Sequence, residues 1–391
     1  MAVAIMIRAK TSEVTNNAAQ LPPFTAKQLL QSSPHLGCFA PMKMNFRKFD
    51  LKLRHEWTIA STLNAGKTIF ETVLLDLTDA DGVVGLGESA PSTRYKEDVN
   101  TVMRFLRDVD ASRLSFDDIP GSMNYLETFP GNYAAKCAVN IALVDGAARK
   151  AGLPVYDFLK LGFTENRHVT SFTIGIDAPD VIRKKVLEAE PYPILKLKIG
   201  GPGDREIMQA LREAAPKKTL RIDANEGWKT KEEALTNLEW FAKDPNIEFC
   251  EQPMHSSTRR EDWVWLKART PIQIFADESF HRANDAEFCA ECFHGVNAKL
   301  IKTGGITGAY DALQAARKLG LKTMIGCMIE SSILTSAAAH LAELTNHLDI
   351  DGNLLCSNDP YVGPTSVNGK ILFVPAVEKI GLRVKARGPE N

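Results

Sequence analysis

From Val169 onward, short apolar runs recur at regular intervals, and stretches with helical spacing fill the gaps. The runs are VTSFTIGI (169–176), ILKLKIG (194–200), TLRIDAN (219–225), IEFCEQP (247–253), QIFADES (273–279), VNAKLIK (296–302), KTMIGCMIE (322–330) and HLDID (347–351). EIMQALREAAPKK and AYDALQAARKLG typify the intervening segments. This alternation predicts parallel strands joined by crossover helices. Eight strands in about 180 residues predict a compact α/β barrel. No full helix follows the last strand.

The upstream chain has another rhythm. KMNFRKFDLKLRHEW, KTIFETVLLDLTD and VVGLGESA alternate apolar and polar positions, and a turn at Ala80-Asp81-Gly82 separates the last two. They predict a three-stranded antiparallel meander. Residues 96–160 read as helical, with CAVNIALVDGAARKAG ending at Gly152 and Pro154. The C-terminal NDPYVGPTSVNGKILFVP returns to turns and short strands, which pack back on the N-terminal unit. The expected fold is therefore α/β: a modified TIM barrel, (β/α)7β, with an N-terminal α+β capping domain. Residues 166–354 form the barrel. Residues 44–165 form the capping domain, completed by 355–391. Residues 1–43 carry one acidic residue, Glu13, and little periodicity. They read as an unstructured extension, or as a start assigned upstream of Met42 or Met44.

Three carboxylates end successive barrel strands: Asp223, Glu251 and Asp277, spaced 28 and 26 residues apart. An α/β barrel assembles its active site at the C-terminal ends of its strands. Three convergent acids there suggest a divalent cation held by oxygen, most simply one Mg²⁺. Strand residues two apart share a face, so Lys196 and Lys198 on strand two both point inward, as do Asp349 and Asp351 on strand eight. Lys299 is on strand six, diametrically opposite strand two. Lys198 and Lys299 thus flank the mouth from opposite walls, as two-base inversion of a stereocentre requires. A carboxylate substrate losing its α-proton would become an ene-diolate stabilised by the cation. Nearby positive charge and burial are expected to lower the lysine pKa values toward those of working bases. Lys302 fits a supporting role. Asp349 and Asp351, across the mouth from the metal, would attract an ammonium group. A dipeptide spans roughly 7 Å and could reach between the two.

At 391 residues with net charge −1, nothing points to nucleic acid or to an anionic membrane as partner. No apolar stretch approaches the ~20 residues of a membrane span. Seven scattered cysteines fit a reduced, cytoplasmic protein. Cys289 and Cys292 form a CxxC without a second pair, which is insufficient for zinc. A homo-oligomer is compatible with exposed barrel faces.

These motifs resemble the enolase superfamily, and within it the muconate-lactonising subgroup. The resemblance is carried by KLK (196–198), DAN (223–225), EQP (251–253), ADES (276–279), NAKLIKTGG (297–305), GCMIES (326–331), GLGESAP (85–91) and ALVDGAARKAGLPVYDFL (142–159). The DID at 349–351 is similar to the DxD of dipeptide epimerases, whose type activity is Ala-Glu epimerisation in cell-wall peptide recycling. The resemblance implies that Asp223, Glu251 and Asp277 bind Mg²⁺ and that Lys198 and Lys299 are the acid/base pair. It also implies that Lys196 supports the carboxylate and that Asp349 and Asp351 bind the substrate's ammonium. Glu330, and Thr62 in the 58–68 stretch, complete the expected substrate contacts. Ala-Glu members commonly present an arginine from the capping domain to the glutamate side chain. TIASTLNAGKT (58–68) has none, leaving Lys67 or Arg94 to substitute. Other subgroup activities stay open: cycloisomerase, o-succinylbenzoate synthase and N-acylamino acid racemase. So does a barrel that only binds a ligand.

Overall fold

A computed structural model describes residues 41–60, 66–374 and 378–388. The expected extension up to residue 40 lies outside them. Strands β1 (Lys43–Trp57), β2 (Lys67–Thr78) and β3 (Val84–Ser89) form the antiparallel meander. The middle of β2 is covered on both faces, burying Thr72, Val73, Leu74 and Leu75, with Leu77 beyond them. The helix Tyr133–Lys150 lies directly on β3. Two glycines of the GLGES run permit this: a Cβ on Gly85 would sit 2.1 Å from the Ala142 carbonyl oxygen, and one on Gly87 would sit 2.0 Å from that of Ala138.

Eight parallel strands follow: β4 (Phe172–Ile174), β5 (Ile194–Lys198), β6 (Thr219–Asp223), β7 (Ile247–Glu251), β8 (Gln273–Ala276), β9 (Gly295–Lys299), β10 (Lys322–Gly326) and β11 (His347–Asp349). They hydrogen-bond in chain order. The Ser171 amide donates to the Leu348 carbonyl at 3.1 Å, joining the last strand to the first and closing the barrel. The observed strands are shorter than the apolar runs, because the final residues of each run leave the sheet to build the mouth. Lys302, expected on a strand, instead lies in a one-turn helix, Leu300–Thr303, beyond β9.

The interior is packed rather than open. At the lower end Arg221 is buried, donating to Glu248 at 2.8 Å and to the Leu348 carbonyl at 2.6 Å, while Phe249 and Phe275 stack at 4.1 Å. Buried Glu88 of β3 fastens the meander to the barrel. It accepts from Thr72 Oγ1, the Ser331 amide and hydroxyl, and the Leu334 amide, and so caps the helix Ser332–Ala339. Buried Asp145 accepts from the Leu382 amide at 2.7 Å, tying the C-terminal segment to the same unit. Among the described residues, no helix is long and apolar enough to cross a membrane.

Candidate active site

Sheet register aligns the chemistry in rows. Lys198 pairs with Asp223 and Asp223 with Glu251, while Lys299 pairs with Gly326 and Gly326 with Asp349. Asp277 follows β8 by one residue. All three acids are fully buried, and one oxygen from each lies within 4.8 Å of the others. Their crowding is electrostatically costly. Burial, then Asp223, pushes Glu251 up to about 7. Asp223 is instead drawn down to about 2, because Lys196 and Lys198 outweigh burial. Lys299 and Lys302 hold Asp277 well below the carboxylate range, against burial.

The donor set suits Mg²⁺. Three hard oxygen donors converge in a buried position, and Glu251 Oε2 is buried without a hydrogen-bond partner. Lys196 Nζ lies 2.6 Å from that oxygen, but not in hydrogen-bond alignment. The local lysines are more deeply engaged than the strand pattern suggests. Lys196 Nζ also lies 2.9 Å from Asp223 Oδ2 and 2.7 Å from Asp349 Oδ2. Lys198 and Lys299 donate to Asp223 Oδ2 and Asp277 Oδ2, each at 2.6 Å. They approach the triad from β5 and β9, four strands apart in an eight-stranded barrel.

The expected lowering of the lysine pKa does not hold for Lys299 among the protein's own groups. Burial lowers it, but Asp277, Tyr95 and Glu251 more than compensate and hold it well above the ordinary lysine value. A cation sharing the three acids would offset that charge. Lys302 donates to Asp277 Oδ1 at 2.6 Å and to the Asn297 carbonyl at 3.1 Å, fixing the Asp277 loop.

Asp349 and Asp351 both reach the mouth, but with different partners. Asp349 accepts from Lys196 and from Ser171 Oγ at 2.6 Å, and these partners draw its pKa down despite burial. Asp349 is therefore bridged to the acid triad rather than standing apart from it. Asp351 Oδ2 accepts the Thr173 amide at 2.6 Å, and burial followed by Asp349 pushes it up to about 6. Glu330 sits apart. Strand β10 ends at Gly326, so Glu330 lies in the following loop, where its carboxylate turns back to accept the Met328 amide at 3.1 Å. It does not line the cavity over the mouth. Thr62 lies outside the described residues. Lys67 is exposed, and Arg94 is bound to Glu226 through two hydrogen bonds of 2.8 and 2.7 Å.

The cavity above the lysines measures about 520 Å³, ample for a dipeptide. Its walls combine Lys198, Lys299, Asp349 and Asp351 with Trp57 and Tyr95. Two contributors were invisible as roles in the sequence. Buried Asn297 donates through Nδ2 to Glu251 Oε1 at 2.6 Å. Gln252 accepts the Asp277 amide at 2.9 Å through Oε1. Both occur in the motifs noted above, and for Asn297 a polar side chain on a buried strand was the available signal.

Comparison with known proteins places this geometry in context. Residues 181–385 match the family model described as enolase C-terminal domain-like. Residues 54–160 match that of the mandelate racemase/muconate lactonizing enzyme N-terminal domain. The chain is 59% identical over 347 residues to an L-Ala-D/L-amino acid epimerase of Pedosphaera parvula (strain Ellin514), covering 88% of this chain and 100% of the relative. It is 37% identical over 355 residues to an L-Ala-D/L-Glu epimerase of Bacteroides thetaiotaomicron, covering 88% and 90%. The crystal structure of a dipeptide epimerase from Enterococcus faecalis V583, complexed with Mg and L-Leu-L-Tyr, superposes with TM-score 0.79 at 29% identity, covering 88% of this chain and 99% of that one.

Proposed function

Because the chain belongs to the mandelate racemase/muconate lactonizing enzyme family of the enolase superfamily, we propose that it is a Mg²⁺-dependent dipeptide epimerase inverting the α-carbon of the C-terminal residue. The observation that carries this reading is the pair Lys198 and Lys299, reaching one acid triad from opposed strands. A proton must leave one face of the carbon and another must arrive on the opposite face, and two amines so placed can do both. Two relatives named above are an L-Ala-D/L-amino acid epimerase and an L-Ala-D/L-Glu epimerase, and the Enterococcus structure holds Mg with the dipeptide L-Leu-L-Tyr.

In this reading Asp223, Glu251 and Asp277 hold the ion, and Lys196 helps position the substrate carboxylate. When bound, Mg²⁺ supplies positive charge that stabilises the carboxylate as its α-proton leaves. Lys198 and Lys299 alternate as base and acid on the two faces. Asp349 and Asp351 receive the ammonium of the N-terminal residue, which sets the dipeptide's direction in the cavity. Residues 44–165 with 355–391 act as the cap over the mouth, and 166–354 as the barrel. Six described cysteines are free, which fits a reducing cytoplasm.

Incubation with Mg²⁺ and a dipeptide library in D₂O tests this directly by mass spectrometry. The expected result is a gain of one mass unit at the C-terminal α-carbon of a subset of dipeptides. Absence of exchange with every dipeptide would sustain the ligand-binding alternative instead.

A further inference from the structure

Directly above the metal side of the mouth, a charged pair joins cap to barrel. Arg94 Nε and Nη2 donate to the two oxygens of Glu226 at 2.8 and 2.7 Å, and Nη2 also donates to Ser256 Oγ at 2.9 Å. The Ser256 amide donates to Glu226 Oε1 at 2.6 Å. Arg94 is 40% exposed and Glu226 10%, and both face the cavity. Glu226 is aimed there at a conformational cost. Asn225 and Glu226 take φ of 41° and 65°, two successive non-glycine residues in the left-handed region. Strain of this kind persists only where surrounding structure over-determines it, and it concentrates at ligand sites.

Position decides what the pair meets. Glu226 lies three residues beyond Asp223, on the side of the mouth where the substrate carboxylate is held. Asp349, at the ammonium end, closes strand β11, and Asp351 lies two residues beyond it. The C-terminal residue's side chain therefore projects from the half of the mouth that Arg94 and Glu226 roof. Other cap carboxylates on the cavity wall are engaged elsewhere: Glu71 with Lys48, Glu97 with the amides of Tyr133 and Ala134, and Asp98 with the Thr101 amide. The segment 58–66 contains no ionisable side chain.

Resting on the function proposed above, we propose that Arg94 and Glu226 form the specificity element for the C-terminal side chain. Each masks the other's charge, so the pair presents hydrogen-bonding groups without net charge and favours uncharged side chains. Removing one partner unmasks the other. Without the Glu226 carboxylate, the guanidinium offers its fork to an acidic side chain. Without Arg94, Glu226 offers a carboxylate to a cationic one.

The test compares wild type, Glu226→Gln and Arg94→Gln on L-Ala-L-Gln, L-Ala-L-Glu and L-Ala-L-Lys. It measures kcat/KM for α-proton exchange in D₂O with Mg²⁺. The readout is the ratio between dipeptides within one protein, which partial misfolding does not move. Wild type should favour L-Ala-L-Gln. Glu226→Gln should raise the Glu-to-Gln ratio about tenfold or more, and Arg94→Gln should raise the Lys-to-Gln ratio by a similar factor. Ratios within twofold of wild type in both variants overturn the proposal, as does an equal loss on all three dipeptides, which would mark the pair as a structural latch only. Wild type that exchanges none of the three would remove the epimerase reading itself. Wild type that exchanges while the ratios stay fixed removes only the specificity assignment.

Discussion

Replacing Asn297 with alanine should weaken Mg²⁺ binding without touching a ligand. Its Nδ2 donates to Glu251 Oε1 at 2.6 Å, and both residues are fully buried. A lost hydrogen bond to a charged, buried acceptor costs about 1.5–3 kcal/mol. Glu251 already carries the repulsion of Asp223 and Asp277, which with burial raises it to about 7. Freed from Asn297, it is held less firmly toward the ion. Removing such an orienting partner typically lowers metal affinity about 10- to 100-fold, or about 1.4–2.7 kcal/mol. Calorimetric Mg²⁺ titration, paired with the Mg²⁺ dependence of exchange activity, should show that rise in Kd and recovery of much of the rate at saturating metal. Gly326→Ala supplies a second approach. Its new Cβ would stand 2.6 Å from Asn297 Oδ1 and 2.7 Å from Nδ2, displacing the amide without deleting it. A Kd within twofold of wild type in both variants would refute the idea that Asn297 orients Glu251.

Asp351→Ala should abolish turnover of dipeptides, chiefly through KM, and unchanged dipeptide kinetics would remove the ammonium-binding role. The same carboxyl is raised to about 6 by burial and Asp349, so it is neutral below that pH and ionised above it. The dipeptide's ammonium, with an ordinary pKa of about 7.7–8.0, stays charged through this transition, so KM should rise as pH falls through about 6, and a flat KM profile from pH 5 to about 7 would contradict this. Glu88→Ala deletes the acceptor for the Ser331 and Leu334 amides and unfastens cap from barrel. It should cost about 2–4 kcal/mol, visible as a lower urea midpoint, whereas a midpoint equal to wild type would show the junction to be held by other contacts.

The barrel was legible in the sequence because eight apolar runs recur with helical spacers, and each strand need only bury its own side chains. The converging acids were legible for the same reason: Asp223 and Glu251 end their strands, and Asp277 is the first residue after its own. Strand periodicity also aimed Lys196, Lys198 and Asp349 inward. It said nothing of which inward groups would meet. Lys196 bridges Asp349 to the triad across 153 positions of chain, a contact fixed by barrel closure rather than by local pattern. The turn at Glu226 reads as an ordinary loop until folding brings Arg94 to it from 132 residues away. Around Glu330 the pattern overran the strand. The apolar run KTMIGCMIE continues past Gly326, but the strand does not, so Glu330 stands in the following loop, where it accepts the Met328 amide.

Opposed bases make a stereochemical demand that single substitutions can expose. Lys198→Gln and Lys299→Gln should each be incubated in D₂O with the two C-terminal epimers of one good dipeptide substrate, following α-deuteration by NMR. The account predicts that each variant exchanges one epimer and not the other, that the two variants have opposite preferences, and that neither interconverts the epimers. Loss of exchange of the same epimer in both variants, or retained interconversion in either, would contradict it.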